Sequence, residues 1–332
     1  MACQKLGCVT AVTTVGWMST TEQLSEDQRA VRAGAGLVDR SERGKLALTG
    51  AETKRFLQGQ ITNDVVRLEP GSGLYAAFLT AKGKMLGDLR VLDSGEELLL
   101  DTERVALQEL FNMVRRYSLG FDVVLHRRTL ERGLLSLVGP RAREIAGADG
   151  AGLSAEEHAN AAAAIEGIPV LLVATDLGVD LYVDSARTEA LKQALVARGA
   201  LPVEEAAAEV VRVEHGRPRY GVDLDDATIP QEAGLNERAV SFTKGCYVGQ
   251  ETVARLFYKG KPNRHLRGLR LSKPVASGTE LTLEGKRVGA LGSVVRSPLH
   301  GEIALALVRR EAEPGTLLQA GAATAEVVEL PF

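Results

Sequence analysis

The residues of this chain with types and spacing suited to chemistry fall first in one short run, Lys244-Gly-Cys-Tyr-Val-Gly-Gln-Glu251. Cys246 sits between a glycine and an aromatic, directly before a stretch with helical spacing. A helix N-terminus and a nearby lysine both favour a thiolate over a thiol. Lys244 is therefore expected to help keep Cys246 ionised. Gly245 and Gly249 would let the backbone approach a ligand or take a positive φ. Gln250 and Glu251 would lie in the first helical turn, where a carboxylate suits the helix dipole. The same composition also fits a plain glycine-punctuated turn around a buried cysteine, because free cysteine is often a small core residue.

Two further features carry potential chemistry. Residues 252–270 hold Arg255, Lys259, Lys261, Arg264, Arg267 and Arg270 and no acid. Such a stretch suits a polyanion, whether a polyglutamate tail, a phosphate or RNA; a solvated face is the alternative. Tyr75 and Asp88 face each other across an expected hairpin, and Glu214 comes at the end of a later helical run. Carboxylates bind the N–H pairs of heterocycles such as pterins and can move protons near a reacting amine. Ordinary surface acids are the competing reading.

Common signatures are missing. The sequence has no G-x-x-x-x-G-K-[ST] phosphate loop, no G-x-G-x-x-G fingerprint, no H-E-x-x-H helix and no G-x-S-x-G elbow. His126, His158, His215, His265 and His300 are scattered, without partners at metal spacing, and read as surface or capping residues. Cys3 and Cys8 lack a second ligand pair.

The elements that must position these groups follow from periodicity. A short helix is expected over 22–33, a strand over 45–49 and a helix over 52–60. A hairpin then turns at Ala81-Lys-Gly-Lys84, followed by a strand over 97–100 and an amphipathic helix over 104–114. Residues 134–138 suit a strand, and Pro140 suits a helix start. The alanine-rich span 151–164 reads as loop plus helix. Strands over 170–173 and 179–183 and helices over 187–198 and 204–214 complete an α+β pattern. After a loop-rich stretch over 220–243 and a helix over 249–258, the character changes at 265 to short β runs, which read as a small barrel.

Composition bounds the rest. A chain of 332 residues suggests two or three domains. Aromatic residues are only 4%, so the cores must be mainly aliphatic. A net charge of -3, from 40 basic and 43 acidic residues, disfavours affinity of the whole surface for nucleic acid but permits local patches. Three cysteines do not make a disulfide framework. Residues 1–20 lack a convincing signal-peptide pattern and read as an extension, and no run reaches the roughly 18 apolar residues of a membrane span. A cytoplasmic chain without membrane contact is the expectation.

Taken together, these blocks resemble the glycine-cleavage T-protein (aminomethyltransferase) superfamily. The matching segments are Ala30-Val-Arg32, Gly36-Leu-Val-Asp-Arg-Ser41, Phe56-Leu-Gln-Gly-Gln-Ile-Thr-Asn-Asp-Val65, Tyr75, Ala81-Lys-Gly-Lys-Met-Leu-Gly-Asp88, Arg212-Val-Glu-His-Gly216, Tyr220-Gly221 and Ile229-Pro-Gln-Glu-Ala-Gly-Leu235. Within it, the Cys246 segment looks like that of the YgfZ branch, folate-binding proteins of iron–sulfur cluster maintenance.

The resemblance implies a folate-binding fold of three modules around a central opening, with a C-terminal β-barrel. It implies modules over 21–125 with 204–262, a ferredoxin-like module over 126–203, and the barrel over 263–332. It implies tetrahydrofolate, or a one-carbon-substituted folate, as ligand and no stably bound metal. Glu214 would hold the pterin, with Asp88 and Tyr75 near it; Tyr220, Gly245, Gln250 and Glu251 would also bind the folate, and Arg255 would face an anion. Cys246 would be a reactive thiol facing the same cavity, with Lys244 and Asp88 sharing in the chemistry. The implied partners are iron–sulfur enzymes or assembly proteins, including enzymes that thiomethylate tRNA, with a weak tRNA contact through Arg255–Arg270. Asp88 matches the catalytic aspartate of T-proteins, which the YgfZ branch does not always keep. That leaves aminomethyl transfer open as a second reading and an RNA-binding module as a third.

Overall fold

A computed structural model describes residues 25–332. Cys3, Cys8 and the extension expected over 1–20 lie outside the described residues. The chain opens with α1 (Glu26–Ala33), capped by the Ser25 hydroxyl accepting from the Gln28 N–H. It continues through β1 (Gly36–Asp39), β2 (Gly44–Thr49), α2 (Thr53–Gln58), β3 (Gly73–Leu79), β4 (Met85–Asp93), β5 (Leu98–Thr102), α3 (Leu107–Tyr117) and β6 (Val124–Arg127). Next come β7 (Arg132–Val138), α4 (Ala142–Ala146), β8 (Asn160–Ile165), β9 (Ile168–Thr175), β10 (Gly178–Asp184), α5 (Thr188–Ala197), β11 (Leu201–Pro202) and α6 (Glu205–Glu214). After α7 (Asn236–Ala239) and α8 (Gln250–Lys259), only strands follow: β12 (Arg264–Leu271), β13 (Glu280–Leu283), β14 (Lys286–Ser297), β15 (Gly301–Arg309), β16 (Leu317–Ala320) and β17 (Ala323–Val328).

These strands make a five-stranded sheet in the order β3-β4-β5-β2-β6, a six-stranded sheet in the order β11-β1-β7-β10-β9-β8, and a closed barrel, β12-β15-β14-β13-β16-β17. Closure removes free edges, which short strands of this kind otherwise leave exposed. Each unit has its own mainly aliphatic core. Leu89, Leu100, Leu110, Phe56 and Phe78 fill the first, Leu135, Leu172, Leu181 and Leu191 the second, and Leu269, Leu281 and Val288 the barrel. A fourth cluster (Ala47, Leu92, Leu99, Leu134, Val173 and Tyr182) draws on both open sheets and packs one against the other. Helix α6 seats Val213 on Ile303 and Leu305 of the barrel.

Three details differ from the expectations. β1 pairs with β7 and β11, so part of the 21–125 span completes the second sheet. β6 pairs with β2 and straddles the expected boundary at 125. Residues 160–165 form strand β8, not a helix, because pairing with β9 overrides the helical preference of alanine.

Candidate functional site

The site starts with the β3–β4 hairpin. Its register sets Tyr75 opposite Arg90 and Ala77 opposite Asp88. Tyr75 and Asp88 are thus diagonal neighbours on one face, within reach of a long side chain. The Tyr75 hydroxyl donates to Asp88 Oδ2 at 2.6 Å. Both residues line a cavity of about 180 Å³ together with Arg43, Arg90, Glu103, Glu157, His158, Asp180, Arg217, Tyr220 and Arg238. Burial pushes the Asp88 carboxyl up to about 6, with Glu103 adding to the rise and the Tyr75 hydrogen bond opposing it. Burial and the Asp88 charge raise the Tyr75 phenol well above its ordinary value, so it stays protonated and donates. Burial also lifts Tyr220, to about 12.

A buried ionic chain frames this cavity. Arg43 and Arg90 both bind Asp101, at 2.9 and 2.7 Å, and Arg90 continues to Asp180 at 2.6 Å and to the Tyr182 hydroxyl at 2.9 Å. Arg90 and Asp101 come from the first sheet and Asp180 and Tyr182 from the second, so the chain clamps the two sheets together. Burial opposes ionisation of Asp101, yet Arg43 and Arg90 outweigh it and hold the carboxyl well below the usual range. A second run of ion pairs, Arg40–Glu205–Arg219–Glu209–Arg212–Asp223, reaches the barrel at Ser293.

Against this pair Arg238 lies over the Tyr75 ring, 5.3 Å from its centroid, and donates to Glu157. His158 is buried beside them, its ring centroid 6.4 Å from that of Tyr75. Burial, then Arg90 and Arg238, push the imidazole down to about 3, so it is neutral. It takes the left-handed conformation at φ 72, which is uncommon for a residue with a side chain. Expected to be a surface or capping residue, His158 instead lines the cavity.

The other expected site residues lie elsewhere. Arg212 and Glu214 are two positions apart on α6 and so project to different sides. The Glu214 carboxylate takes Arg32 and Ser297, each at 2.5 Å, and is absent from the cavity lining. Cys246 is exposed and does not line the cavity either. Lys244 does not serve the thiol: its ammonium donates to the Gln58, Ile61 and Asn63 carbonyls at 2.7, 2.7 and 2.8 Å. Burial drops its pKa to about 8, with Asp64 opposing. Lys244 is the anchor of the Cys246 loop.

Gly249 has φ 86, and a Cβ there would lie 2.6 Å from the Thr80 carbonyl oxygen, so glycine is required. Gly245 has open space around it and no such need. Gln250 and Glu251 open α8 and do not line the cavity, and Arg255 is exposed one turn on. Of the basic stretch, Arg264 is paired with Glu232 and Arg267 with Glu329. Among the described residues no cluster of His, Cys, Asp and Glu could hold a metal, and no helix is long and apolar enough to cross a membrane.

Fold and site together define an α+β protein of the aminomethyltransferase architecture, with a polar cavity between its two open sheets. Residues 10–244 match the GCVT N-terminal domain family and residues 264–331 the CAF17 C-terminal beta-barrel domain. The chain belongs to the GCVT family, with a CAF17-type barrel at its C-terminal end. It is 31% identical to an aminomethyltransferase of Rubrobacter xylanophilus over 96% of this chain and 88% of that one. A putative chloroplastic transferase of Arabidopsis thaliana is 28% identical over 82% of this chain and 65% of its own length. The crystal structure of glycine cleavage system aminomethyltransferase T from Bartonella henselae superposes with a TM-score of 0.80 at 25% identity, covering 92% of this chain and 88% of that one.

Proposed function

We propose that this chain is a tetrahydrofolate-binding accessory protein that supports iron–sulfur cluster assembly or repair, including that of tRNA-thiomethylating enzymes. The observation that carries the folate part is the Tyr75–Asp88 pair on the cavity wall. Asp88 is a buried acceptor above pH 6 or so, suited to the paired N–H groups of a pterin. The fit is polar in detail as well. His158 Nδ1 and Arg238 Nε are buried on this wall with no hydrogen-bond partner, and such groups call for one. At about 180 Å³ the cavity is below the roughly 300–1,000 Å³ of sites that enclose a drug-sized ligand, so it suits a ring head group with its tail at the mouth.

In this reading Asp88 and Tyr75 hold the pterin edge, and Tyr220 and Arg238 flank it. When bound, tetrahydrofolate supplies a secondary amine that accepts or carries a one-carbon unit. The CAF17-type barrel and the exposed Cys246 support the iron–sulfur part, with the thiol available to a partner's cluster. A second reading, aminomethyl transfer of the glycine-cleavage type, is favoured by Asp88 itself and by the names of the relatives. A turnover assay with an aminomethyl-loaded carrier protein separates the two. Methylene-tetrahydrofolate formation that survives Cys246→Ala and is lost in Asp88→Asn establishes the transferase. No turnover, with tetrahydrofolate binding intact, supports the accessory role.

A further inference from the structure

Two buried polar atoms of the cavity wall have no partner within the protein: His158 Nδ1 and Arg238 Nε. Both side chains lie against the Tyr75 ring, Arg238 at 5.3 Å and His158 at 6.4 Å from its centroid. One carboxylate orients both. Glu157 Oε1 accepts from Arg238 Nη2 and lies 3.5 Å from His158 Nε2. A carboxylate beside Nε2 favours the tautomer with its proton there, which leaves Nδ1 an acceptor. Burial keeps the ring neutral, so Nδ1 holds that role at neutral pH. Arg238 Nε always carries its proton and can only donate. The wall therefore offers one fixed acceptor and one fixed donor.

His158 is also pinned by strands of both open sheets. Its backbone N–H donates to the Ala174 carbonyl of β9 at 2.8 Å. On β3, a Cβ at Gly73 would lie 2.5 Å from the His158 carbonyl oxygen, so the strand needs glycine where His158 packs. A bulky residue held in the left-handed region at a cavity is the kind of position that serves a ligand.

With the amino edge of a pterin on Asp88, the neighbouring edge of tetrahydrofolate presents the 4-carbonyl oxygen and, beside it, N5–H. These are one acceptor and one donor. We propose that His158 Nδ1 accepts from N5–H while Arg238 Nε donates to the 4-carbonyl oxygen, so that the cavity selects reduced tetrahydrofolate with N5 unsubstituted. The inference rests on the folate reading and adds the form of folate to it. Dihydrofolate has a lone pair at N5 in place of the proton and sets two buried acceptors against each other. A methyl group on N5 removes the proton and adds bulk. N5 is one of the nitrogens that take up a one-carbon unit, so the cavity holds the unloaded folate in preference to the loaded one.

Calorimetric titration of the full chain with tetrahydrofolate, dihydrofolate and 5-methyltetrahydrofolate tests it. The wild type is expected to bind tetrahydrofolate about tenfold or more tightly than either of the others, because a site built around a buried hydrogen bond rejects a ligand that cannot make it. His158→Asn keeps a residue type that tolerates the left-handed backbone and withdraws the acceptor. It is expected to lose about tenfold in tetrahydrofolate affinity and to bind the three folates alike. The 4-amino analogue of tetrahydrofolate tests Arg238 in the same way. It is expected to bind the wild type about tenfold more weakly than tetrahydrofolate, and Arg238→Lys, which keeps the charge and drops Nε–H, to bind both alike. Circular dichroism verifies folding of the variants, and the ligand series on the wild type needs none. Equal affinity of the wild type for the three folates overturns the inference and leaves the folate reading standing. So does a preference that survives His158→Asn, which assigns it to the shape of the cavity. No binding of any folate overturns both.

Discussion

The cavity wall and the Cys246 loop are built on opposite principles. Around Asp88, ionisable groups are buried, paired and held by both open sheets. Around Cys246 the thiol is exposed, and the buried charge of Lys244 is bound to backbone carbonyls. A preorganised polar cavity suits a small ligand that must be held in one orientation. An open loop on a rigid anchor suits contact with a larger partner. The two regions are therefore expected to fail independently and by different amounts.

The largest effect is expected at Asp101. Asp101→Ala leaves Arg43 and Arg90 buried without their shared partner and should cost about 3–5 kcal/mol, read by chemical denaturation. Because the folded-state pKa of Asp101 is depressed, its contribution is present above the unfolded value of about 4 and is lost as pH falls below it. Asp101→Ala with wild-type stability would break the view of the cavity as a clamped frame.

Lys244→Ala comes next, at roughly 2–4 kcal/mol, since it strips a charged donor from three carbonyls. Thiol labelling of Cys246 should then change through loosening of the loop. Wild-type stability with a slower-reacting thiol would restore Lys244 as the activating charge.

Asp88→Asn is expected to weaken tetrahydrofolate binding at least tenfold, by about 1.4 kcal/mol or more, while making the free protein more stable at pH 7. The sign follows from the raised carboxyl. The folded state binds the proton more tightly than the unfolded state, so Asp88 stabilises below about pH 4, and that contribution is lost as pH rises through about 6. The stability gain in Asp88→Asn should therefore disappear in melts at pH 4. The smallest effect belongs to Cys246→Ala, which should stay within about 0.5 kcal/mol of wild type and bind tetrahydrofolate normally. A clear loss of folate affinity there would erase the distinction between the two regions.

The sequence made the hairpin legible, because Ala81-Lys-Gly-Lys84 fixes a turn between two β-type runs and brings Tyr75 and Asp88 together. The barrel was legible from its short, glycine-punctuated strands. Glu214 was misplaced because a motif position does not say which side of α6 the residue faces. Lys244 was misread because three carbonyls about 180 positions earlier take its charge, and spacing cannot show them. His158 had no signal at all, since its burial depends on an irregular turn. Asp101 did leave one: it is a charge inside an otherwise largely apolar strand, which implies a buried partner.

Folate binding in the Asp88 cavity is the property on which both regions' roles depend. Calorimetric titration of tetrahydrofolate into the wild type, Asp88→Asn and Cys246→Ala measures this directly. The expected result is one site in the wild type and Cys246→Ala, with affinity falling as pH drops through about 6, and at least tenfold weaker binding in Asp88→Asn. No binding to the wild type, or equal affinity in all three proteins, would contradict it.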